Sequence, residues 1–94
     1  MTEQIKRIQY MEQLLDESKK ILQEYSQALE AYRNIQTSIE ELSNYYTGTE
    51  WREDYEADCA GKLPEDLKRG VLSEDALYNL LEENDCLQKQ LIKT

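Results

Sequence analysis

The sequence predicts an all-α protein, and three observations carry that expectation. Residues 3 to 46 contain neither glycine nor proline, and their apolar positions recur at helical spacing. The composition favours helix over sheet: valine occurs once, at Val71, phenylalanine is absent, and Leu, Glu, Gln, Lys and Ala dominate. The second half divides into shorter helical stretches, punctuated by Gly48, Gly61, Pro64 and Gly70. Ninety-four residues make one domain with a modest core.

The first element is a long helix over about residues 3–46. Written as heptads, Ile8, Met11, Leu15, Leu22, Tyr25, Leu29, Tyr32, Ile39 and Tyr46 occupy a and d slots, with Ser18, Gln36 and Ser43 as exceptions. The g slots are apolar as well, at Leu14, Ile21, Ala28, Ile35 and Leu42. Three apolar slots per heptad describe the broad face of a bundle helix rather than a narrow coiled-coil seam. A straight helix of this length would run about 65 Å, about twice the width of a compact domain of this size. A bend is therefore expected near residues 33–38, where Asn34 to Ser38 are poor helix formers, unless the far end packs elsewhere.

Thr47-Gly48-Thr49 closes this segment. Gly48 is expected in the left-handed conformation and Thr49 as the cap of a helix over 50–59, with Glu50 and Glu53 in its first turn. Trp51, Tyr55 and Cys59 stand one turn apart on one face, and Gly61 ends the helix. A short helix over 64–69 follows, opened by Pro64 and stopped by Gly70. Ser73 is expected to cap the last helix, over 74–92, whose inner face would carry Leu77, Leu80, Leu81, Leu87 and Leu91. The long N-terminal helix is expected to pack against this C-terminal helix, with the two short helices between. The last helix, about 28 Å long, would cover less than half of the first. A homodimer through the N-terminal helices is the simplest way to bury the remaining stripe.

The formal charge is −9 and the pI about 4.4. A polyanion is repelled by phosphate backbones and anionic lipid heads, so neither nucleic acid nor membrane is expected as a partner. Residues 50 to 85 hold 12 acids against 4 bases, an imbalance that reads first as a solvated acidic face. The sharper alternative is an acidic decoy that mimics nucleic acid and occupies a basic partner. Neither a signal segment nor a membrane-length apolar run is visible, which points to the cytoplasm and to reduced cysteines at Cys59 and Cys86.

Catalytic signals are scarce. Histidine is absent, which removes the usual general base and the commonest metal ligand, and no cofactor is expected. Asp54-Tyr-Glu-Ala-Asp-Cys-Ala-Gly-Lys-Leu-Pro-Glu65 invites comparison with a calcium loop. Asp54, Glu56, Asp58 and Glu65 would fall at positions one, three, five and twelve. The alignment fails at position six, where Cys59 replaces the turn glycine, and at position nine, where Lys62 would face the ion. A helix ending in a turn explains the stretch better. It leaves divalent binding through Asp54, Asp58 and Glu65 as a remote alternative.

Lys62, Lys68 and Arg69 form a basic island in this acidic half. They either pair with neighbouring acids or meet an anionic group on a partner. With Trp51 and Tyr55 they make up the candidate interaction surface. The reading for the whole chain is a non-catalytic protein–protein interaction module, an adaptor or regulator with a protein partner.

The sequence also resembles a known family. Trp51 and Asp54–Asp58 match its pattern W-x-x-D-Y-E-A-D. Gly61–Asp75 match G-x-L-P-x-D-L-K-R-G-V-L-S-E-D, and Arg7–Glu12 fit as R-I-Q-Y-M-E. It is similar in these stretches to short, acidic, helical proteins of Gram-positive bacteria grouped as a domain of unknown function. The resemblance covers nearly the whole chain. It implies a helical fold and a bacterial cytosolic setting, and it supplies no activity or site residue. Cys59 and Cys86 stand outside its pattern.

Overall fold

A computed structural model describes residues 2–93; Met1, Thr94 and the side chain of Lys93 lie outside the described residues. Helix α1 spans Glu3–Thr47, α2 spans Glu50–Cys59, a 3-10 turn covers Gly70–Leu72, and α3 spans Ala76–Lys93. No strand occurs among the described residues. The expected all-α class, with its long first helix, is the observed one. The chain forms two compact units, residues 1–36 and 37–94.

In the first unit, α1 begins on a cap. The Ile5 amide donates to Thr2 Oγ1 at 3.2 Å, satisfying one of the amides a helix start leaves unpaired. Glu3 sits in the first turn, where the helix dipole favours an acid. Every residue from Thr2 to Ala28 is exposed; Leu29, Tyr32 and Gln36 are half-buried. The helix carries on through residues 33–38, where a bend is expected from the sequence. There the Gln36 amide nitrogen donates to the Tyr32 carbonyl at 3.2 Å, so a polar side chain bonds to the helix itself.

The second unit holds the end of α1, then α2, the 3-10 turn and α3. Its core is small. Leu72 and Leu77, each 5% exposed, are the buried apolar side chains among the described residues, and both α2 and α3 pack on the 3-10 turn.

Several local expectations need correcting. Gly48 is not left-handed; its amide donates to the Asn44 carbonyl at 3.1 Å. Thr49 has helical backbone angles and makes no side-chain cap, while the neighbouring Thr47 hydroxyl donates to the Ser43 carbonyl at 2.8 Å. The helix expected over 64–69 is a single turn, closed by the Leu67 amide on the Pro64 carbonyl at 3.2 Å. Trp51 takes the Val71 carbonyl and Leu72 enters the core, so the second short helical element forms instead at 70–72.

The last helix starts at Ala76, two residues late, because Ser73 is extended at φ −66° and ψ 150° and Glu74 and Asp75 turn. Its half-buried line is Leu81, Asn84 and Gln88, following buried Leu77. Leu80, Leu87 and Leu91 are 40%, 41% and 38% exposed, not on the inner face. Hydropathy favours the leucines, but the spacing of four, three and four from Leu77 selects Leu81, Asn84 and Gln88.

Candidate functional site

Helix α2 is held from several directions by side chains of its own unit. The Tyr45 hydroxyl donates to Asp54 Oδ2 at 2.6 Å, across the link between α1 and α2. Tyr46 meets Trp51 edge-on and Tyr55 stacks on it, both with centroids 5.1 Å apart. The Trp51 indole N–H donates to the Val71 carbonyl at 2.9 Å, which fixes the 3-10 turn against α2. The Tyr55 hydroxyl donates to Glu74 Oε1 at 3.1 Å, just before α3.

The turn after α2 has a defined geometry. The Lys62 amide donates to the Ala57 carbonyl and the Gly61 amide to the Asp58 carbonyl, each at 3.0 Å, and Gly61 sits at φ +71°. This is the Schellman arrangement, in which a left-handed residue lets the chain turn back over the last helical carbonyls. Arg69 Nη1 then donates to Asp58 Oδ1 at 2.5 Å and Nη2 to the Glu65 carbonyl at 3.1 Å. With both partners about two-thirds or more buried, this pair is shielded better than a surface ion pair.

These contacts involve residues 61 to 74 beyond the helix ends they flank. Of the five residues expected to form an interaction surface, Trp51, Tyr55 and Arg69 are used within the chain. Trp51 and Tyr55 belong to one aromatic stack, and Arg69 is paired with an acid. Lys62 and Lys68 are exposed and make no ion pair among the described residues. Lys68 borders an open groove of about 310 Å³, whose apolar wall is Leu63, Leu67, Val71 and Leu72 and whose polar wall is Tyr45, Asp54 and Arg69.

The polar side chains of this region bond to one another within the chain. Burial, followed by the Asp54 hydrogen bond and the charges of Asp54 and Glu50, pushes the Tyr45 hydroxyl up to about 12. The Glu74 carboxylate, then Cys59, pushes Tyr55 up to about 12. Such phenols stay protonated and serve as hydrogen-bond donors. Asp54, Asp58 and Glu65 do not converge: Asp54 serves Tyr45 and Asp58 serves Arg69. Among the described residues no group of three acidic, cysteine or histidine side chains is placed to hold a metal ion. Sequence reasoning misses Tyr45; its only signal is a tyrosine nine residues before an acid, across a two-residue link.

A second feature lies in the first unit. Ile8, Met11, Leu14, Leu15, Ile21, Leu22 and Tyr25, on the broad face read from the heptads, and Ile5 at its edge are between 37% and 69% exposed. The opposite face carries Lys6, Gln13, Asp16 and Lys20. No helix of the described residues is long and apolar enough to cross a membrane, and the interspersed charges are the reason.

Comparison with curated proteins and with solved structures gives no significant match. Comparison with protein families gives one: the family described as a domain of unknown function, DUF4298, matches residues 8–94. That span includes most of the exposed stripe and every contact around α2, and the chain belongs to the DUF4298 family.

Proposed function

We propose that this chain is a non-catalytic protein–protein interaction module, an adaptor or regulator that associates through the apolar face of α1 between Ile5 and Tyr25. The observation that carries this reading is the exposure of eight large apolar side chains along one helix face. Isolated exposed leucines are ordinary, but a contiguous apolar patch beyond a few hundred Å² marks an association surface. A helix also draws most of its stability in water from burying such a face. The absence of histidine and the internal engagement of Asp54, Asp58 and Arg69 fit a protein that binds rather than catalyses.

The test is a charge placed in the stripe. Leu15→Glu with Leu22→Glu is expected to abolish association, read by sedimentation velocity and by binding of a hydrophobic dye. Trp51, the one tryptophan, reports on the second unit, and its emission is expected to stay unchanged. Sedimentation and dye binding indistinguishable from the parent protein's would contradict the reading.

A further inference from the structure

We infer that the partner on the α1 face is a second copy of this chain, docked antiparallel with Ile8 of one copy opposite Tyr25 of the other. The inference rests on the reading of α1 as an association surface and goes on to name what covers it.

Area comes first. The eight apolar side chains, between 37% and 69% exposed, run along about 30 Å of one helix, and each partner of a stable interface contributes about 800 Å². A second copy, lying along the same stripe, presents a matching apolar strip of the same length.

The flanking side chains, charged and apolar together, then select orientation. In the heptads that place Ile8, Leu15 and Leu22 at a and Met11, Ser18 and Tyr25 at d, the flanking e slots are Glu12 and Lys19 and the flanking g slots are Leu14 and Ile21. A parallel pair sets g against e, so Leu14 would face Lys19, and Arg7 would face Glu12. Turning one helix end for end sets e against e and g against g. Like environments then meet: Leu14 packs on Ile21 twice, and Glu12 faces Lys19 twice.

Charge also selects register. With Ile8 opposite Tyr25, the layers are Ile8–Tyr25, Leu15–Ser18 and Leu22–Met11. The small Ser18, a gap in the stripe of a single chain, then sits across from a leucine. Sliding the second copy by one heptad one way puts Glu12 against Glu12; sliding it the other way puts Lys19 against Lys19. Both are repulsive. The chosen register also centres the overlap near residues 16 and 17, so the stripe from Ile5 to Tyr25 lies within it.

Cysteine crosslinking tests this directly, in a full-length chain carrying Cys59→Ser and Cys86→Ser, both free and exposed in the parent. Ile8→Cys alone and Tyr25→Cys alone are expected to stay uncrosslinked under mild oxidation, because each would lie about 25 Å along the axis from its own copy. An equal mixture of the two is expected to give a disulfide-linked dimer. Crosslinking of each variant by itself would overturn the antiparallel arrangement and leave the association reading intact.

Charge exchange is the second test, with no core side chain changed. Glu12→Lys or Lys19→Glu alone is expected to weaken dimerisation about tenfold, and the two together in one chain to restore it within about twofold. Failure of the double variant to restore it would contradict the antiparallel register. A monomer whose stripe still binds a hydrophobic dye would overturn the second copy as partner but not the stripe as a binding surface. A monomer that binds no dye would overturn both.

Discussion

The Tyr45 hydroxyl and the Asp54 carboxylate, 2.6 Å apart, tie the end of α1 to the middle of α2 across a link of two residues, Gly48 and Thr49. Neither residue of the link caps a helix in the usual way, so this side-chain bond takes on part of that work. Tyr45→Phe keeps the ring and removes the donor. It is expected to destabilise the protein by roughly 0.5–1 kcal/mol, below the range for a buried bond to a charged acceptor because the pair is solvent-accessible. Thermal unfolding followed by circular dichroism checks it, and an unchanged midpoint would mean that water replaces the bond without loss.

Burial of the Tyr45 hydroxyl, together with this bond, makes stability depend on alkaline pH. Tyr45 is raised from 10.0 to about 12 in the folded protein. A group raised on folding adds stability that is full below its unfolded value and is lost as pH climbs through its folded value. Stability is therefore expected to fall between about pH 10 and 12, and Tyr45→Phe to flatten that fall. Ultraviolet titration of the seven tyrosines should show two, Tyr45 and Tyr55, ionising last. A single transition near the ordinary tyrosine value would contradict this.

Trp51 links three parts of the second unit, through Tyr46, Tyr55 and the Val71 carbonyl. Trp51→Phe retains an aromatic ring but strands the carbonyl, at a cost of about 1 kcal/mol. Trp51→Ala is expected to cost about 2–3 kcal/mol, below the range for a fully buried tryptophan because this one is half-buried. Urea denaturation of each variant separates the two. Equal losses would mean that the hydrogen bond, and not the stack, holds the turn.

Gly61 and Gly48 are required for different reasons. Gly61 sits at φ +71° in open space, so an added methyl meets nothing and the penalty lies in the backbone. Gly61→Ala is expected to cost about 1–2 kcal/mol and Gly61→Asn less, since asparagine tolerates this region. At Gly48 a Cβ would stand 3.0 Å from the Asn44 carbonyl oxygen, a backbone atom that cannot swing aside. Gly48→Asn should then be no better tolerated than Gly48→Ala. Melting temperatures of the four variants distinguish a conformational requirement from a steric one.

The parts of this fold that local chemistry dictates could be read from the sequence, and those set by long-range contacts could not. Helix α1 follows from 44 residues without glycine or proline, α2 from its acidic first turn and the stop at Gly61. The 64–69 segment has every local helix signal, yet residues 70–72 take the helical turn, because Trp51 claims the Val71 carbonyl and Leu72 enters the core. In α3 the leucines draw attention, while Asn84 and Gln88 occupy the half-buried line; hydropathy ranks side chains and says nothing of which face is covered. Trp51, Tyr55 and Arg69 read from the sequence as an interaction surface, whereas the structure engages them within the chain. Their partners, Val71, Glu74 and Asp58, lie 11 to 20 residues away, beyond the range at which spacing is informative.

The solution mass of the wild-type chain, by size-exclusion chromatography with light scattering over a tenfold concentration range, reports on pairing through α1 without altering any side chain. Self-association through α1 requires a mass near twice the 11.1 kDa of the chain at the upper concentrations, lost on introducing Leu15→Glu and Leu22→Glu. A mass of 11.1 kDa throughout, with no binding of a hydrophobic dye, would contradict it.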